Sequence, residues 1–388
     1  MQGFSLEPRA GIGQWPGMRQ RLAVLAFLCA ATAARAAPPP ELQAALEHAM
    51  AGQAVPGMAA VVIRSGQASD EAVRGLRRIG QADAVRPGDR WLLGSDGKAM
   101  TVVLVARLVE QGKLAWTTPL AGMLPGLAAG MRPEYRAVTL VDLLSHRSGL
   151  PENLGDEAFF RGLYDDPRPL PVQRLAYITR ALAEASIGPA RSEPSYSNTG
   201  FLIAGVIAER AGGMPYEQLM EQEVFRPLGM TSVLFLPWRG PGPVGHVGGR
   251  AALEKFDPNP PMLDPAGGAS MSMADWARFC LDQLAGAKGQ GRLLTPANYR
   301  LMQTGHDANG LGFGLGWGVG ATAMGRKGPA LTHAGSDGNW YAMVLLLPRS
   351  GNGLLVAANA ADSMGGDQAA AAVLREMAPS LAPPKDAP

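Results

Sequence analysis

Cysteine is scarce in this sequence, which contains two in 388 residues. Cys29 lies in an N-terminal apolar run that we expect to be removed, so Cys280 would remain alone and could form no intramolecular disulfide. The apolar, helix-periodic surroundings of Cys280 favour a buried structural thiol. The chain also has no His-Glu-x-x-His, no Cys-x-x-Cys and no dinucleotide-type glycine loop, so we predict neither a metal site nor a cofactor.

Charge of one sign is not concentrated anywhere in the chain. Charged residues make up 18% of it and the formal net charge is +2, without a long basic or acidic run. This excludes an electrostatic surface for nucleic acid. The 47% hydrophobic content is enough to bury a large core, in one domain or two closely packed lobes. We expect a small-molecule or peptide substrate as the partner, and the sequence leaves the oligomeric state open.

The N-terminus has the pattern of an export signal. Two arginines precede the apolar run 22–34, and Ala34-Arg35-Ala36 provides the small residues that a signal peptidase needs. The run is too short for a permanent membrane span. We therefore predict a signal peptide at 1–36, with Met18 as a candidate for the actual start, and a periplasmic or secreted mature protein.

Hydrophobic periodicity divides the remaining chain into strands, then helices, then strands. Helical spacing is found at 41–50, from Ser95 to Gly112, at 198–211 and at 366–377. Strand patterns occur at 57–64, 71–79, 311–319, 340–347 and 353–358. The proline- and glycine-rich stretch 237–265 is typical of a long surface loop, and His246 within it is interpreted as a surface histidine.

This order predicts an α/β (α+β) fold in which the first and last strands meet in one antiparallel sheet. Helices would flank the sheet, and a mainly helical lobe would be inserted between its two halves. We place the domain at 37–380, the helical lobe at about 95–300, the sheet at 57–94 and 311–360, and a tail at 381–388.

Ser95 and Lys98 form the only Ser-x-x-Lys in a chain that contains just six lysines. Side chains three residues apart share one face of a helix, so the Lys98 amine can reach the Ser95 hydroxyl. A serine hydroxyl becomes a good nucleophile only when a base takes its proton. A buried lysine loses its charge more readily than an exposed one and can be that base.

Two further motifs with residues suited to acyl transfer follow later in the chain. Tyr196 in Tyr196-Ser197-Asn198 could carry a proton, because a cation beside it favours phenolate, or it could be an ordinary core aromatic. Asn198 offers an amide that could orient the lysine or a substrate carbonyl. In His333-Ala334-Gly335, the glycine would let a strand approach the substrate closely. No Gly-x-Ser-x-Gly elbow is present, which argues against an α/β-hydrolase.

These three motifs make the chain resemble the serine β-lactamase-like family, which includes class C β-lactamases, penicillin-binding D-alanyl-D-alanine carboxypeptidases and related esterases. The likeness covers about residues 40–375. Beyond the motifs it rests on several stretches, which are 143–151, 196–205, 227–230, 265–268, 275–279, 314–317 and 345–359.

The resemblance implies that Ser95 is the acylated nucleophile, Lys98 its base and Tyr196 the second proton carrier. It also implies an oxyanion hole made by the backbone N–H groups of Ser95 and Ser336, with Asn198, His333 and Gly335 binding the substrate. His146 is interpreted as a packing histidine that supports the cleft.

Three residues depart from the family pattern. Gly97 stands where hydroxylated residues are commoner, and Asp96 could repel an anionic substrate if it faced the cleft. His333 replaces the lysine of true β-lactamases, and a neutral imidazole attracts a carboxylate less than an ammonium does. The sequence therefore favours an exported esterase or D-amino-acid peptidase. The alternatives are a true class C-like β-lactamase and a non-catalytic penicillin- or peptide-binding protein.

Overall fold

An antiparallel sheet built from both ends of the chain organises the part that this computed structural model describes, residues 38–235, 241–307, 309–323 and 326–382. The strands in that part are β1 (Gly57–Arg64), β2 (Gln67–Ala68), β3 (Ala72–Gly75), β4 (Arg90–Leu92), β5 (Leu234–Phe235), β6 (His246–Val247), β7 (Arg250–Ala251), β8 (Ala269–Ser272), β9 (Gly312–Phe313), β10 (Gly318–Ala323), β11 (Arg326–Ser336), β12 (Tyr341–Leu347) and β13 (Asn352–Ala358). The α-helices are α1 (Pro40–Met50), α2 (Lys98–Glu110), α3 (Leu120–Met123), α4 (Leu140–Leu144), α5 (Glu157–Gly162), α6 (Leu170–Ala181), α7 (Asn198–Gly212), α8 (Tyr216–Met220), α9 (Arg226–Leu228), α10 (Asp264–Gly267), α11 (Met273–Ala287), α12 (Pro296–Gln303) and α13 (Gly366–Leu381).

The main sheet has the strand order β2-β1-β13-β12-β11-β10-β9, and β3 also pairs with β1. The first and last long strands meet directly, in a register that runs from Met58 opposite Ala358 to Ile63 opposite Gly353. All pairings in this sheet are antiparallel. The expected α+β architecture, with one antiparallel sheet formed by both strand groups, is confirmed.

Both faces of the sheet are buried, which explains why its central strands are apolar throughout. Along β1, Met58 and Val62 belong to one core cluster, with residues of α1 and α13. Their neighbours Ala59 and Ile63 belong to the other cluster, with residues of α2 and α11. Successive strand residues point to opposite faces, so a strand covered on both sides needs apolar residues at every position.

Helix α2 lies in the larger core, and ten of its thirteen residues are buried, including Lys98 at its first position. A second, three-stranded sheet with the order β4-β8-β5 fixes the chain that leads into this helix. Leu93, just after β4, donates its backbone N–H to Ala269 of β8 at 3.1 Å. A 3₁₀ turn, Gly94–Gly97, then connects β4 to α2 and carries Ser95.

The structure differs from the expected elements in the C-terminal half. For the longest described strand, β11, a strand was expected only at its His333-Ala334-Gly335 end and no bounds were predicted, and the strand expected at 311–319 is split into β9 and β10. The stretch 237–265 contains β6, β7, a 3₁₀ turn at Pro261–Leu263 and α10, while 236–240 lie outside the described residues.

The interpretation of His246 as a surface histidine was wrong, because its side chain is 0% exposed. Its Nε2 accepts the backbone N–H of Ile79 at 3.0 Å. Its Nδ1 therefore carries the proton and donates to the carbonyl of Asn359 at 2.7 Å. Two satisfied ring nitrogens make this imidazole a buried cross-link between segments.

Cys280 is buried and free, as expected for a structural thiol. The proposed signal peptide, Met18 and the residues from 383 onward lie outside the described part of the chain, and the domain boundaries stay a prediction. Within the residues that are described, no helix is both long and apolar enough to cross a bilayer.

Candidate active site

Two glycines allow strand β11 to lie against the turn that carries Ser95. Gly94 has φ +51°, and a Cβ there would fall 2.6 Å from the backbone nitrogen of Ser336. A Cβ on Gly335 would fall 2.0 Å from the carbonyl oxygen of Leu93 and 2.6 Å from the nitrogen of Ser95. We expected Gly335 to admit the substrate. In the structure, Gly335 instead leaves room for the turn that carries Ser95.

Ser95, Lys98 and Tyr196 meet at one point. Lys98 Nζ lies 2.9 Å from Ser95 Oγ, and the Tyr196 hydroxyl donates to the same oxygen at 2.6 Å. Lys98 Nζ also lies 4.8 Å from the centre of the Tyr196 ring. Ser95 and Tyr196 are half-buried, whereas Lys98 is 0% exposed. The structure therefore brings together the three residues whose catalytic roles the sequence predicts.

The remaining contacts of Lys98 orient its amine toward Ser95. Nζ donates to Asn198 Oδ1 at 2.7 Å and to the backbone carbonyl of Ala266 at 2.6 Å. Both partners can only accept, so each receives one of the N–H groups of the Lys98 amine. When the amine is neutral, its lone pair takes the third direction, which faces Ser95 Oγ.

Burial lowers the pKa of Lys98 to about 7, although the charges of Glu152 and Asp96 act in the opposite direction. Desolvation disfavours the ammonium form because its hydration is lost. A substantial fraction of the amine is thus neutral near neutral pH. This is the protonation state that a general base requires.

Tyr196 is the protonated member of the set. Burial raises its pKa above the ordinary value, and its hydrogen bond to Ser95 only partly offsets this effect. The sequence suggested that the neighbouring lysine would favour phenolate, but the loss of hydration outweighs it. In the resting protein, Tyr196 is a phenol that donates to Ser95 Oγ.

A cavity beside the nucleophile is lined by Gly94, Ser95, Asn198, Ala266 and Ser336, among others. Ser95 and Ser336, whose backbone N–H groups are the two predicted oxyanion donors, thus border the same space. Asn198 begins α7, and its Nδ2 donates to Asn153 Oδ1 at 3.2 Å. Because its Oδ1 accepts from Lys98, the amide orients the lysine.

His333 lies on β11, three residues before Ser336, and is partly buried. Its Nδ1 is 2.9 Å from the carbonyl oxygen of Ala334. Burial lowers the pKa of His333, and the charge of Lys98 lowers it further. The imidazole is therefore neutral at neutral pH and offers no positive charge to a substrate carboxylate.

Asp96 does not face the cleft. Its side chain is 2% exposed, and neither carboxylate oxygen has a hydrogen-bond partner. Burial raises its pKa well above the ordinary value, with the charge of Lys98 acting against the rise. The repulsion of anionic substrates that we considered for Asp96 has no basis in this geometry, because the group is enclosed.

Comparison with known proteins identifies the family. A family model described as Beta-lactamase matches residues 42–378. The chain belongs to the beta-lactamase family. It is therefore a member of a family of serine hydrolases, in agreement with the geometry at Ser95.

Individual relatives match much of the chain. "Penicillin-binding protein 4" of Amycolatopsis lactamdurans is 31% identical over 76% of this chain and 79% of its own length. "D-alanyl-D-alanine-carboxypeptidase/endopeptidase AmpH" of Escherichia coli is 33% identical over 57% of this chain, which covers 58% of that relative. The solved structure "SurE with D-Leu" superimposes with a TM-score of 0.70 and 27% identity, covering 89% of this chain and 78% of the other.

Several residues at the site were not singled out from the sequence as parts of it. Asn153 binds the Asn198 amide, and Ala266 accepts from Lys98 through its main chain. Trp317 is 1% exposed and belongs to the core. Within the described residues, no group of three His, Cys, Asp or Glu could hold a metal ion.

Proposed function

We propose that this protein is an exported serine hydrolase that forms an acyl-enzyme at Ser95 and cleaves an ester or an amide. The observation that carries the proposal is the contact set of Lys98. A buried amine with a pKa near 7 has two N–H bonds fixed by Asn198 and Ala266 and its third direction on Ser95 Oγ. This arrangement is suited to removing the hydroxyl proton.

In the acylation step, Ser95 Oγ bonds to the substrate carbonyl carbon while its proton moves to Lys98. The carbonyl electrons move to the oxygen, between the N–H groups of Ser95 and Ser336. The intermediate then expels the leaving group, which takes the phenol proton of Tyr196, and the Lys98 ammonium returns a proton to Tyr196. Water releases the acyl group from Ser95 by the same transfers in reverse order.

The substrate class we favour is an ester or a D-amino-acid peptide. One relative is named for D-alanyl-D-alanine, and one similar structure was solved with D-leucine. A neutral His333 supplies no charge for the carboxylate of a β-lactam, which argues against efficient β-lactam turnover. The completeness of the Ser95, Lys98 and Tyr196 set argues against a non-catalytic binding protein.

The central test is covalent labelling by a fluorophosphonate probe. We expect one label on the native protein, none on Ser95→Ala and full labelling of Ser192→Ala, a matched control at an exposed serine. Labelling that persists in Ser95→Ala would refute the assignment of the nucleophile. Failure to label the native protein would favour a non-catalytic role.

A substrate panel then separates the alternatives. We expect turnover of p-nitrophenyl acetate or of D-alanyl peptides, and little turnover of nitrocefin. Rapid nitrocefin hydrolysis would instead favour a true β-lactamase. For export, N-terminal sequencing of the mature protein should begin at Ala37, and a retained N-terminus would contradict the proposed signal peptide.

A further inference from the structure

His146 lies next to Tyr196, although the mechanism above gives it no role. It follows the short helix α4 and is 1% exposed. Its backbone has φ +59°, a left-handed conformation that is uncommon for any residue other than glycine, although asparagine, aspartate and histidine adopt it more often than the rest. Such strain persists only where the surroundings enforce it, and it is often found at functional sites.

The imidazole is stacked on the ring of Tyr196. The two ring centres are 4.5 Å apart, with 28° between the planes. Phe201 packs on the histidine at 5.3 Å, and Phe313 meets it edge-on at 4.9 Å. The histidine is thus enclosed by aromatic rings, and Tyr196 cannot tilt toward it without displacing it.

Hydrogen bonds to His146 also hold the chain on both sides of Tyr196. Ser195 donates its backbone N–H to the carbonyl of His146 at 2.8 Å. Ser197 donates its backbone N–H to His146 Nδ1 at 3.0 Å. One residue therefore fixes the peptide before Tyr196, the peptide after it and the face of its ring.

The ring must remain neutral for this arrangement. Nδ1 accepts a proton donor, so a neutral imidazole carries its hydrogen on Nε2. Burial lowers the pKa of His146 to about 3, and the charges of Lys98 and His333 contribute to this decrease. The acceptor is therefore present over the whole pH range in which Lys98 titrates.

We propose that His146 is a positioning residue that clamps Tyr196, so that the phenol points at Ser95 Oγ. The proposal rests on the role proposed for Tyr196. Because the Tyr196 hydroxyl lies 2.6 Å from Ser95 Oγ, a small displacement of the phenol breaks the proton path.

The test compares His146→Ala in the native protein and in a Tyr196→Phe background. In the native protein we expect kcat for p-nitrophenyl acetate to fall about 100-fold with little change in KM, because misplacement affects the chemical step. In the Tyr196→Phe background, His146→Ala should lower kcat by less than about threefold, because the phenol is already absent. Equal losses in the two backgrounds would overturn the proposal, and so would native rates in His146→Ala.

Two further variants keep the test valid if His146→Ala does not fold. Asparagine tolerates the left-handed backbone, so His146→Asn removes the stacking ring at little conformational cost. His146→Phe keeps a ring but loses the acceptor for Ser197. Both should lower kcat, and native kcat in both would overturn the proposal. As a matched control, His246→Asn removes a buried histidine that also accepts a backbone N–H, and it should lower the melting temperature without lowering kcat.

The outcomes separate this inference from the proposed function. If Tyr196→Phe retains native activity, the proposed role of Tyr196 is wrong, and His146 has no catalytic side chain to position. If Tyr196→Phe is inactive while the His146 variants are fully active, the mechanism stands and only the clamp fails. An acid limb of kcat/KM near pH 7 that is unchanged in His146→Phe would show that the histidine is not the base.

Discussion

The buried carboxyl group of Asp96 should destabilise the fold, and its replacement by asparagine should relieve this. Both oxygens lack a hydrogen-bond partner and the side chain is 2% exposed. A buried polar group without partners costs about 1–3 kcal/mol, and a charged one costs more. Asp96→Asn removes the ionisable group and keeps the shape, so the pH dependence of its effect isolates the ionisation.

The pH dependence follows from the sign of the shift. Burial raises the pKa of Asp96 in the folded state above its value of about 4 in the unfolded chain. Between the unfolded and the folded pKa, the unfolded chain has released this proton while the folded protein keeps it, so rising pH favours unfolding. The advantage of Asp96→Asn should therefore grow with pH, by at most about 1.4 kcal/mol per pH unit.

Urea unfolding at pH 5, 6, 7 and 8 measures this difference directly. The control is Asp156→Asn, at the cap of α5, where hydrogen bonds to Phe159 and Arg180 lower the pKa of the carboxyl. Stability from such a group is lost only as pH falls through its pKa, so this variant should give a difference that is constant over the same range. An Asp96→Asn protein that is less stable than native at pH 8, or a difference independent of pH, would refute the reasoning.

Three other predictions concern the site. We expect kcat/KM to rise with pH through about 7, because neutral Lys98 is the base. Initial rates of ester hydrolysis measured from pH 5 to 8 check this, and a kcat/KM that does not change over that range would contradict it. Gly335→Ala should lower the free energy of unfolding by about 1–3 kcal/mol and slow labelling by the fluorophosphonate probe, because the added Cβ would lie 2.0 Å from the carbonyl oxygen of Leu93. Gly126→Ala, which has open space around it, should change neither quantity. Arg174→Met should lower the free energy of unfolding in urea by about 3–5 kcal/mol, because it removes the buried cation that pairs with Glu209 and Glu217, and a loss below about 1 kcal/mol would contradict this.

The sequence predicted the strands that are apolar on both faces with nearly the observed bounds. Strand β1 was expected at 57–64 and β13 at 353–358, within one residue of the structure. The bounds of β11 were not predicted, because the strand contains Gly328 and Pro329 and has no regular apolar pattern. Its conformation is imposed by β10 and β12 on its two sides, and Pro329 lies where the register with β10 shifts.

The site was predictable only where its geometry is local or its motifs are recognisable. A spacing of three residues places Lys98 beside Ser95 in any helical turn. Tyr196 is 101 residues away from Ser95, and only the family resemblance joined them. The role of the Ala266 carbonyl could not be predicted, because any residue at that position provides the same main-chain acceptor.

His146 and His246 show why burial and role cannot be assigned from one sequence. Each lies near glycine, and neither belongs to an apolar periodic segment, yet both are buried and accept a backbone N–H. The difference lies in the donor. His246 receives its hydrogen bond from Ile79, in the turn after β3, whereas His146 receives one from Ser197, next to Tyr196. Because each donor is more than 50 residues away, no local pattern distinguishes a cross-link of the fold from a clamp on a catalytic side chain.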